Sequence, residues 1–209
     1  MGQRGNSAFK GRPYGADPFG RDAQNRVRIA QTAARLIAEH GITDWSLAKR
    51  KAARQLMLSP REALPDDGEI EAALAQHHSL FGGDAHVATL RRQREEALAW
   101  MRRLAMFEPM LAGGVAAGWA SAHSDIRVEL IADDAKTVEL ALINADIAYR
   151  LPPLSRADAP PELFIETPAG GLRLIVRSAA AQRQRPLRDA QGQPVARLTA
   201  AALETLLAG

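Results

Sequence analysis

The chain has no cysteine, few aromatic residues and no long apolar run, and each absence excludes a class of protein. Without cysteine it forms no disulfide, no thiolate metal site and no cysteine nucleophile. Its apolar stretches fall well short of the roughly 20 residues of a membrane helix, and no apolar segment follows Met1. We therefore expect a cytoplasmic protein with no signal peptide and no membrane association. Because 46% of its 209 residues are hydrophobic, it can bury a core, which excludes wholesale disorder.

Lysine is scarce as well, with 4 residues against 23 arginines, and the charges are unevenly distributed. Residues 1–60 carry 11 basic and 4 acidic side chains (+7), whereas 61–108 carry 6 and 9 (−3). Residues 109–170 carry 4 and 9 (−5), and 171–209 carry 6 and 2 (+4), which sums to the net charge of +3. Basic ends around an acidic middle favour a surface for a polyanion, and arginine suits bidentate contacts to phosphate.

The first half of the chain divides into a tail and a helical module. Residues 1–22 are rich in glycine, proline and arginine and have no apolar period, which predicts a disordered basic tail. Over 23–108 apolar residues recur at helical spacing, which predicts a module of four helices. Its expected helix caps, stops and capping box are Gly41, Asp44, Ser59–Glu62, Asp66, Gly82–Gly83, Asp84 and Pro109.

Strand patterns begin after Pro109. Residues 125–131 alternate strictly between polar and apolar, which predicts a half-buried strand. This strand is followed by a helix capped by Asp133-Asp134, a strand at 147–151, a loop at 152–161, a hairpin at 163–176, a basic loop at 182–195 and a final helix capped by Thr199. We therefore predict an α+β chain, with the helical module followed by a small mixed sheet with flanking helices over 109–209.

The most specific motif starts at two consecutive glycines. Gly113-Gly114 follow a short apolar segment, a helix-like stretch comes next, and Ser124-Asp125 open the alternating strand 12 positions after the first glycine. Consecutive glycines allow a phosphate to approach the backbone. This pattern resembles the nucleotidyltransferase superfamily that includes the polymerase beta-like enzymes. The resemblance implies that fold for 109–209 and identifies Gly113, Gly114 and Ser124 as candidate nucleotide-binding residues.

The same strand departs from the family at a position that matters for catalysis. The resemblance implies two carboxylates, two residues apart, that share magnesium ions. Asp125 fills the first position, but Arg127 fills the second, and a cation does not coordinate a metal. Glu129 lies about 13 Å from Asp125 along the strand, which is too far to bridge a pair of metals about 4 Å apart.

A further arginine stands on the predicted hairpin. The family's third carboxylate is expected there, where Glu162 and Glu166 are available, but the central strand carries Arg173. Guanidinium groups beside phosphate-binding glycines hold an anion. We therefore predict an anion site made of the glycines, Ser124, Arg127 and Arg173.

A second basic cluster lies in the helical module. Lys49, Arg50, Lys51 and Arg54 lie on the predicted second helix, away from its apolar stripe. Such a patch suits the backbone of a nucleic acid, and it is equally typical of a solvated helix face. The segment around it also resembles an uncharacterised bacterial family, from the proteobacteria, of similar length.

Three functions remain open at this point. The first is a divergent, non-catalytic nucleotidyltransferase-like protein, a pseudoenzyme, that binds RNA or a nucleotide and needs no metal. The second is an active magnesium-dependent nucleotidyltransferase in which Asp125 acts with Glu162 or Glu166. The third is a module that binds a protein partner.

Overall fold

Helices come first along the chain and a mixed sheet follows, which confirms the α+β class predicted from the sequence. The computed structural model describes residues 20–42, 44–59, 63–152, 159–184 and 195–209. The tail predicted for 1–22, the capping box at 59–62 and the loops at 152–161 and 182–195 lie largely outside these residues.

Among the described residues, four α-helices precede the first strand, and the other helices lie between or after the strands. The helices are α1 (Arg21–His40), α2 (Trp45–Gln55), α3 (Asp67–Phe81), α4 (Gly83–Arg103), α5 (Gly113–Ala117), α6 (Ala135–Asn144), α7 (Ala179–Gln184) and α8 (Ala200–Ala208). The strands are β1 (Met110–Ala112), β2 (Ile126–Ile131), β3 (Glu162–Thr167), β4 (Gly170–Arg177) and β5 (Arg197–Leu198).

Side-chain caps begin most of the predicted helices. Asp44 accepts a hydrogen bond from the Leu47 N–H at 3.0 Å, and Thr199 caps α8 in the same way. Asp66 forms a complete capping box with Glu69 at the start of α3. The expectation for Asp84 was wrong, because α4 already begins at Gly83 and this carboxylate lies in its first turn.

The sheet has the strand order β3-β4-β2-β1-β5, in which β2 and β4 are parallel and the other pairs are antiparallel. The alternation predicted for β2 is present. Ile126, Val128 and Leu130 are fully buried on one face, while the next residues along the strand belong to a polar face. The two faces therefore differ in chemistry. Because side chains alternate along a strand, Arg127 and Glu129 lie on the polar face.

Buried apolar residues form two clusters. One joins α1, α2 and α3. The other lies between the apolar face of the sheet, α4 and α8, so that α4 packs in the core of the sheet although its sequence pattern continues that of the helical module. No helix in the described ranges is long and apolar enough to cross a membrane.

Some local expectations were wrong. The strand predicted at 147–151 is reduced to one bridge between Arg150 and Phe164, because Asp146 turns the chain with φ of 54° and Pro152 has no N–H to donate. Residues 182–184, predicted in a loop, belong to α7. Phe81 and Val87 are apolar residues of the predicted helical module, but they are 74% and 63% exposed at the corner between α3 and α4.

Candidate functional site

A pocket of about 450 Å³ lies where the three N-terminal helices meet the sheet. The sheet side contributes all five residues that the sequence assigns to the anion site, and also Asp125, the candidate catalytic residue of the active alternative; the five are Gly113, Gly114, Ser124, Arg127 and Arg173. The helical side contributes residues from the end of α1, the start of α2 and the first turns of α3. The motif residues, which are separated by up to 60 positions along the chain, therefore share one cavity.

The two glycines shape the floor of this pocket. Gly113 has a φ of +68°, a left-handed conformation that side chains rarely adopt, and a Cβ there would lie 3.2 Å from Cδ of Arg127. A Cβ on Gly114 would lie 2.7 Å from the ring of Trp119. The turn therefore lets an arginine stem and an indole ring pack directly on the backbone.

Helix α4 holds the loop that leads from this turn to β2. The buried Gln93 side chain donates hydrogen bonds to the carbonyl oxygens of Ser121, at 2.9 Å, and Ser124, at 3.2 Å. The Ser124 hydroxyl accepts a hydrogen bond from the Ser121 N–H at 3.0 Å. Part of the hydrogen-bonding capacity of Ser124 is thus used inside the loop, so this residue shapes the pocket wall as well as lining it.

The same helix also supports α5. Arg94 donates from Nε to the Val115 carbonyl oxygen at 3.1 Å, and burial lowers the pKa of its guanidinium. Nε2 of His86 lies 3.3 Å from the carbonyl oxygen of Gly118. These contacts from α4 fix the position of the glycine turn.

Arg173 lies between two carboxylates. Its Nε donates to Asp125 at 2.6 Å and its Nη1 donates to Glu162 at 3.2 Å. Burial alone would lower the pKa of Arg173, but the hydrogen bonds and charges of Asp125 and Glu162 raise it above its ordinary value. The guanidinium is therefore a fixed cation, and two of the three carboxylates that the sequence offers as metal ligands, Asp125 and Glu162, are bound to it.

The remaining carboxylates of the sheet also face arginines. Glu166 pairs with Arg150 at 2.8 Å on the surface. Glu129 is buried and lies 3.0 Å from Nε of Arg197 and 3.3 Å from Nε of Arg177. In the part of the chain that the structure describes, no three histidines or carboxylates form a group that could hold a metal ion.

Arg127 differs from the other arginines of the polar face. It is exposed in the pocket and forms no hydrogen bond or ion pair with the described residues. Its neighbours across the sheet are Ala112 on β1 and Arg173 on β4. Because Ala112 is small, the Arg127 guanidinium stands in open space, where an anion can reach it.

Two tryptophans form part of the wall, and sequence reasoning did not assign them to the site. Trp45 begins α2 directly after its cap, and its ring centroid lies 5.5 Å from that of Trp119 at an interplanar angle of 54°. Trp119 packs against the core of the helices although it belongs to the motif segment. The position of Trp119 directly after Gly118 was the available signal, whereas Trp45 was interpreted only as an apolar helix residue.

The helical wall is acidic. Asp44, Asp67 and Glu71 line it, and Asp67 accepts a hydrogen bond from Nζ of Lys49 at 2.7 Å. The helical side of the pocket therefore carries carboxylates, whereas the sheet side carries Arg127 and the ion pair of Arg173 with Asp125.

The predicted basic patch on α2 lies outside the pocket. Arg50, Lys51 and Arg54 are exposed, and none of them lines the cavity. Lys49 does not join them on the open surface, because its side chain is only 12% exposed and reaches toward Asp67 of α3.

Comparison with known proteins gives no match: neither the protein-family models nor the curated sequences contain one for this chain. The relationship to the nucleotidyltransferases stays a prediction that rests on the motif.

Proposed function

We propose that this chain is a divergent, non-catalytic nucleotidyltransferase-like protein that binds RNA or a nucleotide through phosphate. The observation that carries the proposal is the difference between two neighbouring arginines. Arg173 is held by two carboxylates, whereas Arg127 stands beside Gly113 without a partner among the described residues. An unpaired guanidinium that is exposed in a pocket is a site for an anion.

The loss of catalysis follows from the chemistry of Arg173. Metal-dependent phosphoryl transfer needs carboxylate oxygens that are free to bind the cation. Here Asp125 and Glu162 accept hydrogen bonds from one guanidinium, at 2.6 and 3.2 Å. A magnesium ion would have to displace a fixed positive charge whose pKa is raised, which is unfavourable.

The basic surface of α2 extends the proposal to RNA. Arg50, Lys51 and Arg54 are exposed on one helix, and each phosphate contact from such a residue adds an increment of affinity that falls with salt. They are a second contact for a long ligand that reaches beyond the pocket.

A filter-binding titration with RNA and with ATP tests the proposal. We expect salt-sensitive binding that the Arg127→Gln variant weakens by roughly tenfold or more, because a charge-assisted hydrogen bond is lost. The matched control is Arg28→Gln, an exposed arginine on α1 outside the pocket lining. If neither ligand binds, or if both variants behave like the wild type, the proposal is wrong.

A second function has one specific observation in its favour. Asp125 and Glu162 reach the same guanidinium, so they are close enough to act together if Arg173 moves away. An active enzyme would incorporate nucleotide from labelled nucleoside triphosphates in the presence of magnesium, and Asp125→Ala would abolish this. Without incorporation, the active alternative fails and the binding function is unaffected.

A protein partner is the third function, and a pulldown distinguishes it. We expect material recovered by the chain to be lost on nuclease treatment. Recovery of a protein that is insensitive to nuclease would favour the interaction module instead.

A further inference from the structure

The charge of the pocket differs between its two walls, which restricts where a ligand can carry its own charge. On the sheet side Arg127 has no partner among the described residues and Arg173 is paired with Asp125, whereas Asp44, Asp67 and Glu71 stand on the helices. A chain of phosphates that crossed the cavity would pass these carboxylates and be repelled by them. A ligand that carries phosphate at one end alone fits both walls.

The space between the two ends is aromatic. The stem of Arg127 packs on Gly113, the ring of Trp119 packs on Gly114, and Trp45 lies 5.5 Å from Trp119. Trp45 and Arg127 line the same cavity. A flat ring placed against Trp45 therefore shares this cavity with an anion bound to Arg127.

The size of the cavity agrees with a small molecule. About 450 Å³ lies within the range of roughly 300–1,000 Å³ that is typical of pockets for small ligands and cofactors. Carboxylates around an aromatic surface accept hydrogen bonds from amino groups and sugar hydroxyls. A nucleobase with its ribose supplies such donors, whereas its phosphate supplies the anion.

We infer that the pocket takes a single nucleotide, with its phosphate on Arg127 and its base against Trp45, clamped between the helices and the sheet. This inference rests on the proposed function and narrows it: one nucleotide unit enters the pocket, and the RNA backbone does not run through it. Base stacking on an aromatic side chain is worth about 1–3 kcal/mol, so Trp45 is a main source of affinity.

Isothermal titration calorimetry with three probes tests the inference: adenosine 5′-monophosphate, adenosine, and an oligoadenylate of about ten nucleotides. The full chain is compared with Arg127→Gln, Trp45→Leu and Trp45→Phe. We expect the monophosphate to bind in a one-to-one ratio. Trp45→Leu should weaken it roughly five- to a hundredfold, and Trp45→Phe, which keeps an aromatic ring, should weaken it less.

Matched controls separate stacking from loss of structure. Trp100→Leu removes an indole from α4 that donates to Glu96 outside the pocket, and it should leave binding unchanged. Thermal unfolding of each variant identifies any that is unfolded, and in that case the Trp45→Phe comparison decides. Adenosine should bind more weakly than its monophosphate and should not respond to Arg127→Gln.

The outcomes distinguish the two proposals. Binding of the monophosphate that depends on both Trp45 and Arg127 supports both. Binding of the oligoadenylate that depends on Arg127, without binding of the monophosphate or without an effect of Trp45, overturns the single-nucleotide inference and leaves the proposed function in place. If no probe binds, both are wrong.

Discussion

At the scale of single residues, the charge that the pocket offers to a ligand depends on whether each arginine is paired with a carboxylate. Arg173 bridges two carboxylates that are about 30% exposed, so solvent screens them only in part. Arg127 is two residues along β2 from Asp125 and has no such bridge among the described residues. One sheet face thus holds a structural cation beside a cation that is available to a ligand.

Removal of Arg173 should destabilise the protein through the carboxylates left behind. We expect Arg173→Met to lower the free energy of unfolding by about 2 kcal/mol, because Asp125 and Glu162 then face each other without a cation. In an Asp125→Asn background the same substitution should cost about 1 kcal/mol less, since one charge is already gone. Urea denaturation of the four proteins in this cycle measures the coupling.

The control for this cycle is the exposed pair of Arg150 and Glu166, whose side chains are 67% and 80% exposed. Surface pairs contribute roughly 0–1 kcal/mol, so Arg150→Met should have little effect. Strictly additive costs for Arg173→Met and Asp125→Asn would contradict the bridging role.

Gly113 offers a second residue-scale prediction. An alanine at φ +68° is strained by about 1–2 kcal/mol, and its Cβ would also press on the Arg127 stem at 3.2 Å. We expect Gly113→Ala to lower the melting temperature and to weaken nucleotide binding, both of which are measured on the same sample.

Gly83 provides the matched control, because it has a φ of +54° and a Cβ there would meet nothing within 4 Å. Gly83→Ala should show the backbone strain without the loss of binding. Equal binding losses in the two variants would mean that the Arg127 contact is irrelevant to the ligand.

At the scale of elements, the corner between α3 and α4 contains a histidine cluster. The rings of His78 and His86 are stacked at 4.0 Å, and His77 meets His78 edge-on at 5.6 Å. Burial, together with the smaller effects of the positive charges of His86 and His77, lowers the pKa of His78 from 6.5 to about 4. The native fold therefore favours the neutral form of His78.

This cluster should make stability depend on pH. Between pH 6.5 and about 4 the unfolded chain binds a proton at His78 that the folded chain does not, so stability is present above pH 6.5 and is lost as the pH falls toward 4. We expect melting temperatures measured from pH 7 to pH 4 to fall less steeply in His78→Phe than in the wild type. His40→Gln, on the exposed last turn of α1, should leave the slope unchanged; an unaltered slope in His78→Phe would contradict the prediction.

How far the sequence predicts these elements depends on their length and contacts. The alternation of polar and apolar residues predicts β2, and Asp66 predicts the start of α3; both are local signals that the structure reproduces. β1 and β5 have three and two residues, too few to establish a period, so they exist only through pairing with each other and with β2. Such pairing is a long-range property that no local pattern reports.

The candidate site also combines features that are local in sequence with features that depend on long-range packing. The spacing from Gly113 to Asp125 and the register of Arg127 are local, and these residues do line one pocket together with Arg173. The acidic wall and the pair of Trp45 and Trp119 could not be predicted, because they arise only when α2 packs against a loop that lies about 70 residues away in sequence. The replacement of a metal-binding carboxylate by Arg127 is visible in the sequence, whereas the bridge that Arg173 makes between two carboxylates is seen only in the folded chain.

At the scale of the whole molecule, two cores meet at few points. The helical cluster of α1–α3 and the sheet cluster are joined beside the pocket by Trp119, which belongs to the sheet half but packs on the helices. The ring of His123 also packs on Gly41, where a Cβ would lie 2.8 Å from it. The pocket walls therefore belong to bodies whose relative position these contacts fix, and a ligand that touches both walls strengthens the junction.

Trp119→Ala should loosen the helical core selectively. Loss of this indole removes part of the packing between the two cores, and we expect the free energy of opening of α1–α3 to fall by about 2–3 kcal/mol, which is roughly 30- to 150-fold faster amide exchange in those helices. Amides of β2 and β4 should exchange at nearly their original rate. Trp100→Ala is the control, since this indole packs against the sheet core and should accelerate exchange there instead. Equal acceleration in both cores with either variant would mean that the chain opens as one unit, and the pocket would then be a cleft within a single body whose walls do not move apart.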